Sequence, residues 1–161
     1  MKSRLALLMT LLIALLALVA CGKDPATLSD IPAYEGATAL QAGQDPVADT
    51  LIQNMEQDAS LRANLGVGGS IEQMAYRLPD GATWEQVKSF YDKELGADGW
   101  ESGMGGPGGD LASSIMESAS ASNPLFQTSI WSQGKQTLTL VRSANPTNES
   151  EVYLIMSLNT N

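Results

Sequence analysis

Histidine is absent from this chain, and cysteine occurs once, at position 21. Without an imidazole, the commonest general base near neutral pH and the commonest transition-metal ligand are both missing. A lone cysteine excludes a disulfide within the chain, so the fold must stand on packing. Basic residues are scarce as well: nine Lys and Arg stand against 18 Asp and Glu, a formal charge of −9. That balance argues against nucleic acid and against anionic lipid headgroups as partners. Aromatic residues make up 6% of the chain, so the position of each ring carries information.

What the chain does have begins at its N-terminus. Met1-Lys2-Ser3-Arg4 is basic, and Leu5 to Ala20 is apolar apart from Thr10. A basic start, an apolar run and small residues before a break are the marks of an export signal. The run is sixteen residues, whereas a spanning helix needs about 20. A cleaved signal fits better than a permanent transmembrane helix. Leu18-Val19-Ala20-Cys21 closes the run and resembles the bacterial lipobox, the sequence read by the lipoprotein signal peptidase. The resemblance implies a thioether-linked diacylglycerol on Cys21, cleavage after Ala20, and a further fatty acyl chain, such as palmitate, on the new amino group. Two or three acyl chains bury enough methylenes for stable anchoring, where one holds only marginally. Gly22 rather than Asp follows Cys21; in a diderm cell this implies the outer membrane, facing the periplasm. Loss of residues 1–20 leaves 141, about one domain. Lys2 and Arg4 leave with the signal, which moves the formal charge from −9 to −11.

Residues 21–30 are small, polar and contain Pro25, and read as a lipidated tether. A single domain is expected over 31–161. Asp45-Pro46 is a helix start, an acidic N-cap before Pro at the first helical position. Val47, Leu51, Met55 and Ala59 follow at i+4 intervals, with a helix end expected before Gly66. Residues 67–70 read as a Gly-rich turn, and Ile71 to Leu78 as a strand. Thr83 with Gln86 is a capping box, and Trp84, Val87, Tyr91 and Leu95 form one helical stripe that Phe90 broadens. Residues 102–123 are rich in Gly, Ser and Ala and read as a flexible loop, although Leu111, Ile115 and Met116 have helical spacing. After Pro124 the period becomes two. Phe126 to Ser132, Gln136 to Arg142 and Glu151 to Leu158 read as three strands with short links, an antiparallel meander. The expected fold class is α+β: an antiparallel sheet of strand, helix and three-stranded meander, with helices packed on one face.

The segments Ile31-Pro32-Ala33-Tyr34-Glu35-Gly36-Ala37, Val87-x-x-Phe90-Tyr91 and Gly99-Trp100 are together similar to a group of small bacterial envelope lipoproteins. Those carry an Ile-Pro-x-Tyr-Pro-Gly-Ala opening, then Val-x-x-Phe-Tyr and Gly-Trp. Here Glu35 stands where the group has Pro, and residues 41–69 and the Gly/Ser segment look like insertions. The resemblance implies lipidation and an α+β domain, and brings no activity and no catalytic residues.

Candidate chemistry is thin. Lys88 and Ser89 are neighbours on a helix and do not face each other. The glycines of 103–109 are followed by Asp110, not by the Lys-Ser/Thr of a phosphate loop. Asp92, Glu94, Asp98 and Glu101 read as a solvated acidic surface, with weak calcium binding as the alternative. Asn148-Glu149-Ser150 matches a glycosylation sequon and reads as a turn. Trp84, Val87, Phe90, Tyr91 and Trp100 line either an apolar pocket between helix and sheet or the core itself. Trp131 could sit on the outer sheet face as part of a binding surface. These features lead to a non-enzymatic, membrane-anchored envelope lipoprotein that binds or supports another envelope component, with no cofactor and no metal. The alternative is a carrier for a small apolar ligand in a pocket under the 83–95 helix. The signal-peptidase residues are Leu18, Val19 and Ala20, and the lipid attachment residue is Cys21.

Overall fold

A computed structural model describes residues 24–64, 69–105 and 109–161. The expected export signal, Leu18, Val19, Ala20 and Cys21, the first half of the expected turn at 67–70, and residues 106–108 lie outside these residues. Among the described residues there are three helices, α1 (Pro46–Asn64), α2 (Trp84–Ala97) and α3 (Gly109–Ala121), and six strands. The strands are β1 (Thr38–Leu40), β2 (Ser70–Arg77), β3 (Glu101–Ser102), β4 (Phe126–Gln133), β5 (Gln136–Asn145) and β6 (Asn148–Thr160). They form one sheet in the order β1-β2-β6-β5-β4-β3, every neighbouring pair antiparallel. The α+β class and the β4-β5-β6 meander are as the sequence reads.

Local chemistry sets α2. Thr83 Oγ1 accepts from Gln86 N at 3.3 Å and Gln86 Oε1 accepts from Thr83 N at 3.0 Å, so two orphan amides at the helix start are satisfied reciprocally. The helix stops before Gly99, whose φ of 88° only glycine adopts cheaply. Its stripe of Trp84, Val87, Tyr91 and Leu95 is buried against Tyr76, Trp131, Leu138, Leu140, Leu154, Met156 and Leu158.

The helices do not all share one face, which corrects the expectation. The paired strands β5 and β6 are apolar on both sides. Leu138, Leu140, Leu154, Met156 and Leu158 point to α2, while Val141, Tyr153 and Ile155 point to the opposite face and join Ala75 and Ala48 in a second cluster. A strand apolar on both sides must be covered on both. There α1 supplies the cover, with Val47, Leu51, Ile52 and Met55 packed against that cluster.

The domain also begins earlier than residue 31. The Gln136 side chain clamps the Ala26 backbone, accepting from Ala26 N at 2.8 Å and donating to Ala26 O at 2.7 Å. Leu28 N donates to Glu72 Oε2 at 2.9 Å, and the Leu28 and Ile31 side chains are buried with the α2 cluster. Burying such a side chain is worth about 1.5–3 kcal/mol, enough to hold this segment, a 3-10 turn over Leu28–Asp30, down on the sheet. Residues 26–30 therefore belong with the domain and not to the expected tether over 21–30.

A second correction concerns 102–123, expected as a flexible loop. Its glycines end at Gly109, and no Gly or Pro occurs again before Pro124. The intervening Leu, Ala, Met and Glu are adequate helix formers, and α3 results. The helix lies along the outer edge of β4. Ser120 Oγ accepts from Thr128 N at 2.9 Å and donates to Thr128 O at 3.1 Å. Gly103 N donates to Ile130 O at 2.7 Å, and β3 pairs with Trp131 and Ser132. An open edge strand is a template for unwanted pairing, and here it is occupied along much of its length.

Candidate functional site

Cys21 and its three preceding residues, the strongest candidates by sequence, lie outside the described residues. The aromatic candidates lie in the core. Trp84, Val87, Tyr91 and Trp100 are buried, and half-buried Phe90 stands edge-on to Tyr34 and Tyr91 with ring centroids 5.4 and 4.9 Å apart. Burial pushes the Tyr91 phenol well above its ordinary pKa, so it stays protonated and its oxygen contacts Met156 Sδ.

Trp131 is not on an outer face. Its register opposite Leu138 turns it toward α2, where it is 1% exposed and its Nε1 donates to Asp92 Oδ1 at 3.1 Å. Asp92 also accepts from Lys88 Nζ at 2.8 Å, so this member of the acidic cluster anchors a core ring. Glu94 pairs with Lys93 at 3.0 Å. Among the described residues, no three His, Cys, Asp or Glu side chains converge as a metal ion would require. No helix of these residues is long and apolar enough to cross a membrane.

Two polar arrangements emerge only in three dimensions. The first joins the start of α1 to the sheet. Asp45 is the buried N-cap, with Oδ1 accepting from Val47 N at 2.9 Å and Ala48 N at 3.2 Å. Its Oδ2 accepts from the Tyr153 hydroxyl at 2.9 Å and pairs with the Arg77 guanidinium. Burial pushes the Asp45 carboxyl up, but the bonds from Arg77, Ala48, Tyr153 and Val47 together outweigh it and hold it below the ordinary carboxylate value. Burial and the neighbouring Asp45 raise the Tyr153 phenol. Every acceptor atom on Asp45 is thus engaged in holding structure. The sequence signal for this node is half present: Asp45-Pro46 marks an N-cap, but Arg77 and Tyr153 are 32 and 108 residues away.

The second arrangement is an open groove of about 510 Å³ at the start of α2, lined among others by Trp84, Glu85, Gln127, Arg142, Glu149 and Val152. Arg142 is its one basic side chain. Its Nη1 donates to Gln127 Oε1 at 2.9 Å and to Pro124 O at 3.1 Å, while its buried Nε has no hydrogen-bond partner. Burial lowers the Arg142 pKa from its ordinary value, and the charge of Glu85 acts against that. The signal for this residue was legible: the series Leu138, Leu140, Arg142 puts a guanidinium where an apolar side chain is expected. With one cation among Asp80, Glu85 and Glu149, the groove can bind polar groups by hydrogen bonding. Among the described residues, no Ser or Thr hydroxyl is hydrogen-bonded to a basic side chain that could activate it. No protein-family model, no curated protein and no solved structure matches the chain.

Proposed function

We propose that this chain is a lipid-anchored lipoprotein of the bacterial cell envelope, acting by binding or support and not by catalysis. One observation carries the reading: an apolar run ends in Leu18-Val19-Ala20-Cys21, and the folded domain starts at Ala26, just beyond. Leu18, Val19 and Ala20 are then the residues read by the signal peptidase, and Cys21 Sγ the atom that takes the diacylglyceryl group. In a diderm cell the anchor sits in the outer membrane, with the domain in the periplasm. A non-enzymatic role is supported by the missing histidine, by a thiol consumed in lipidation, and by the structural use of Asp45 and Asp92.

Mass spectrometry of the mature N-terminus tests the anchor. The expected product begins at Cys21 and carries the mass of a diacylglyceryl group and a further acyl chain. Cys21→Ser should remain unprocessed and lose the lipid mass. An unmodified Cys21, or a mature chain that starts elsewhere, rules the reading out.

A further inference from the structure

We propose that one end of the sheet, formed by the Gly134–Lys135 turn, the end of β6 and the start of β2, faces the lipid bilayer, and that the Arg142 groove at the other end faces away. The inference rests on the lipidation of Cys21. Cys21 and Ala26 are five residues apart, so their α-carbons are separated by at most about 18 Å whatever the path between them. Ala26 cannot drift from the domain, because Gln136 holds both its backbone groups and Leu28 is buried two residues later. Gln136 opens β5 opposite Thr160, its Nε2 donates to Thr160 Oγ1 at 2.9 Å, and Asn161 N donates to Lys135 O at 3.0 Å. The lipid therefore enters close to this end.

The opposite end is too far away to exchange places with it. Asn148 and Thr160 open and close β6, and twelve strand steps of about 3.3 Å put them about 40 Å apart. An inverted domain would hold Ala26 at roughly twice the reach of its tether.

The single cysteine makes the test clean. With Cys21 consumed by lipid, Lys135→Cys or Glu149→Cys supplies one free thiol for a fluorescent label. The lipidated full chain is placed in vesicles of phosphatidylethanolamine and phosphatidylglycerol that contain a headgroup-nitroxide lipid. Flotation is measured first, then quenching. The label at 135 should be quenched several-fold more than the label at 149. A Gly/Ser spacer as long again as the tether, inserted after Gly22, should shrink that contrast without affecting flotation. Floating protein with equal or reversed quenching, or a contrast that ignores the spacer, overturns the orientation while the anchor stands. Protein that fails to float overturns the anchor, and the orientation with it.

Discussion

The two faces of the sheet are built on different physics. Toward α2, side chains from β2, β4, β5 and β6 form one continuous apolar layer, closed by the helix and by Leu28 and Ile31. Toward α1, the same strands give a smaller buried cluster, in which Ala75, Val141, Tyr153 and Ile155 meet Ala48. Farther along they present Gln73, Thr137, Thr139, Ser157 and Asn159, paired across the strands. Both amide atoms of Gln73 and Oδ1 of Asn159 are buried there without a hydrogen-bond partner. Each such group costs about 1–3 kcal/mol of desolvation. The α2 face is thus held by apolar burial, which is indifferent to pH. The α1 face has less of it and leans on the ionised Asp45 node. Where apolar area is short, charge and hydrogen bonding must fix the helix, and those respond to pH.

The largest effect should come from breaking the apolar face. Tyr91→Ala removes a fully buried ring from the centre of the α2 layer and should cost about 3–5 kcal/mol. Denaturant titration measures it. Tyr91→Phe should cost only about 1 kcal/mol, since the hydroxyl gives up a Tyr34 backbone hydrogen bond and a long contact to Met156 Sδ while the ring stays. A loss under about 1 kcal/mol for Tyr91→Ala would mean that α2 is not the layer closing this face.

A smaller, pH-dependent loss should follow on the other face. Asp45→Asn keeps an N-cap oxygen but removes the charge that Arg77 and Tyr153 face, and should cost about 1–3 kcal/mol at neutral pH. The sign follows from the lowered carboxyl. A group whose folded pKa lies below its unfolded value, here about 3.9 for Asp, stabilises fully above that value. The contribution is lost as pH falls through the folded pKa. The wild type should therefore lose stability below about pH 4 more steeply than Asp45→Asn, the two curves closing on each other in acid. Tyr91→Ala should keep the wild-type pH dependence. Parallel curves for wild type and Asp45→Asn would remove the contrast between the faces.

The α2 half of this comparison was legible in the sequence. Capping box, stripe and alternating strands are short-range patterns, and Thr83, Val87, Leu138 and Met156 stand where periodicity puts them. The α1 face was less so. Val141, Tyr153 and Ile155 occupy the out-of-phase positions of strands whose in-phase set is already apolar, and periodicity alone does not say what covers the second set. Arg77 and Tyr153 reach Asp45 only through strand pairing, which leaves no mark at fixed spacing. The short strands β1 and β3, of three and two residues, are below the length at which a period can be read. The early domain start was hidden because Leu28 is one apolar residue in a polar stretch, and its burial depends on Glu72 and Gln136 far along the chain.

The smallest effects should separate the two sides of α3, the helix at the sheet's edge. Leu111 and Ile115 are 68% and 61% exposed, so these two apolar side chains face solvent. Ser120, on the other side, faces β4 and satisfies both backbone groups of Thr128. Composition suggests the reverse, since a helix normally turns Leu and Ile inward and Ser outward. The edge strand explains the inversion: β4 offers unpaired N–H and C=O groups, and a hydroxyl answers both where an isobutyl group answers neither. Ser120→Ala should cost about 1 kcal/mol, because a partly buried N–H and C=O lose their partner. Hydrogen exchange at the Thr128 amide should accelerate with it. Ile115→Ser should change stability by less than about 0.5 kcal/mol, since exposed positions lose little and the two residues have similar helix propensity. If Ile115→Ser proves the costlier change and the Thr128 amide is indifferent to Ser120→Ala, then α3 packs by its apolar side and the edge of β4 is open.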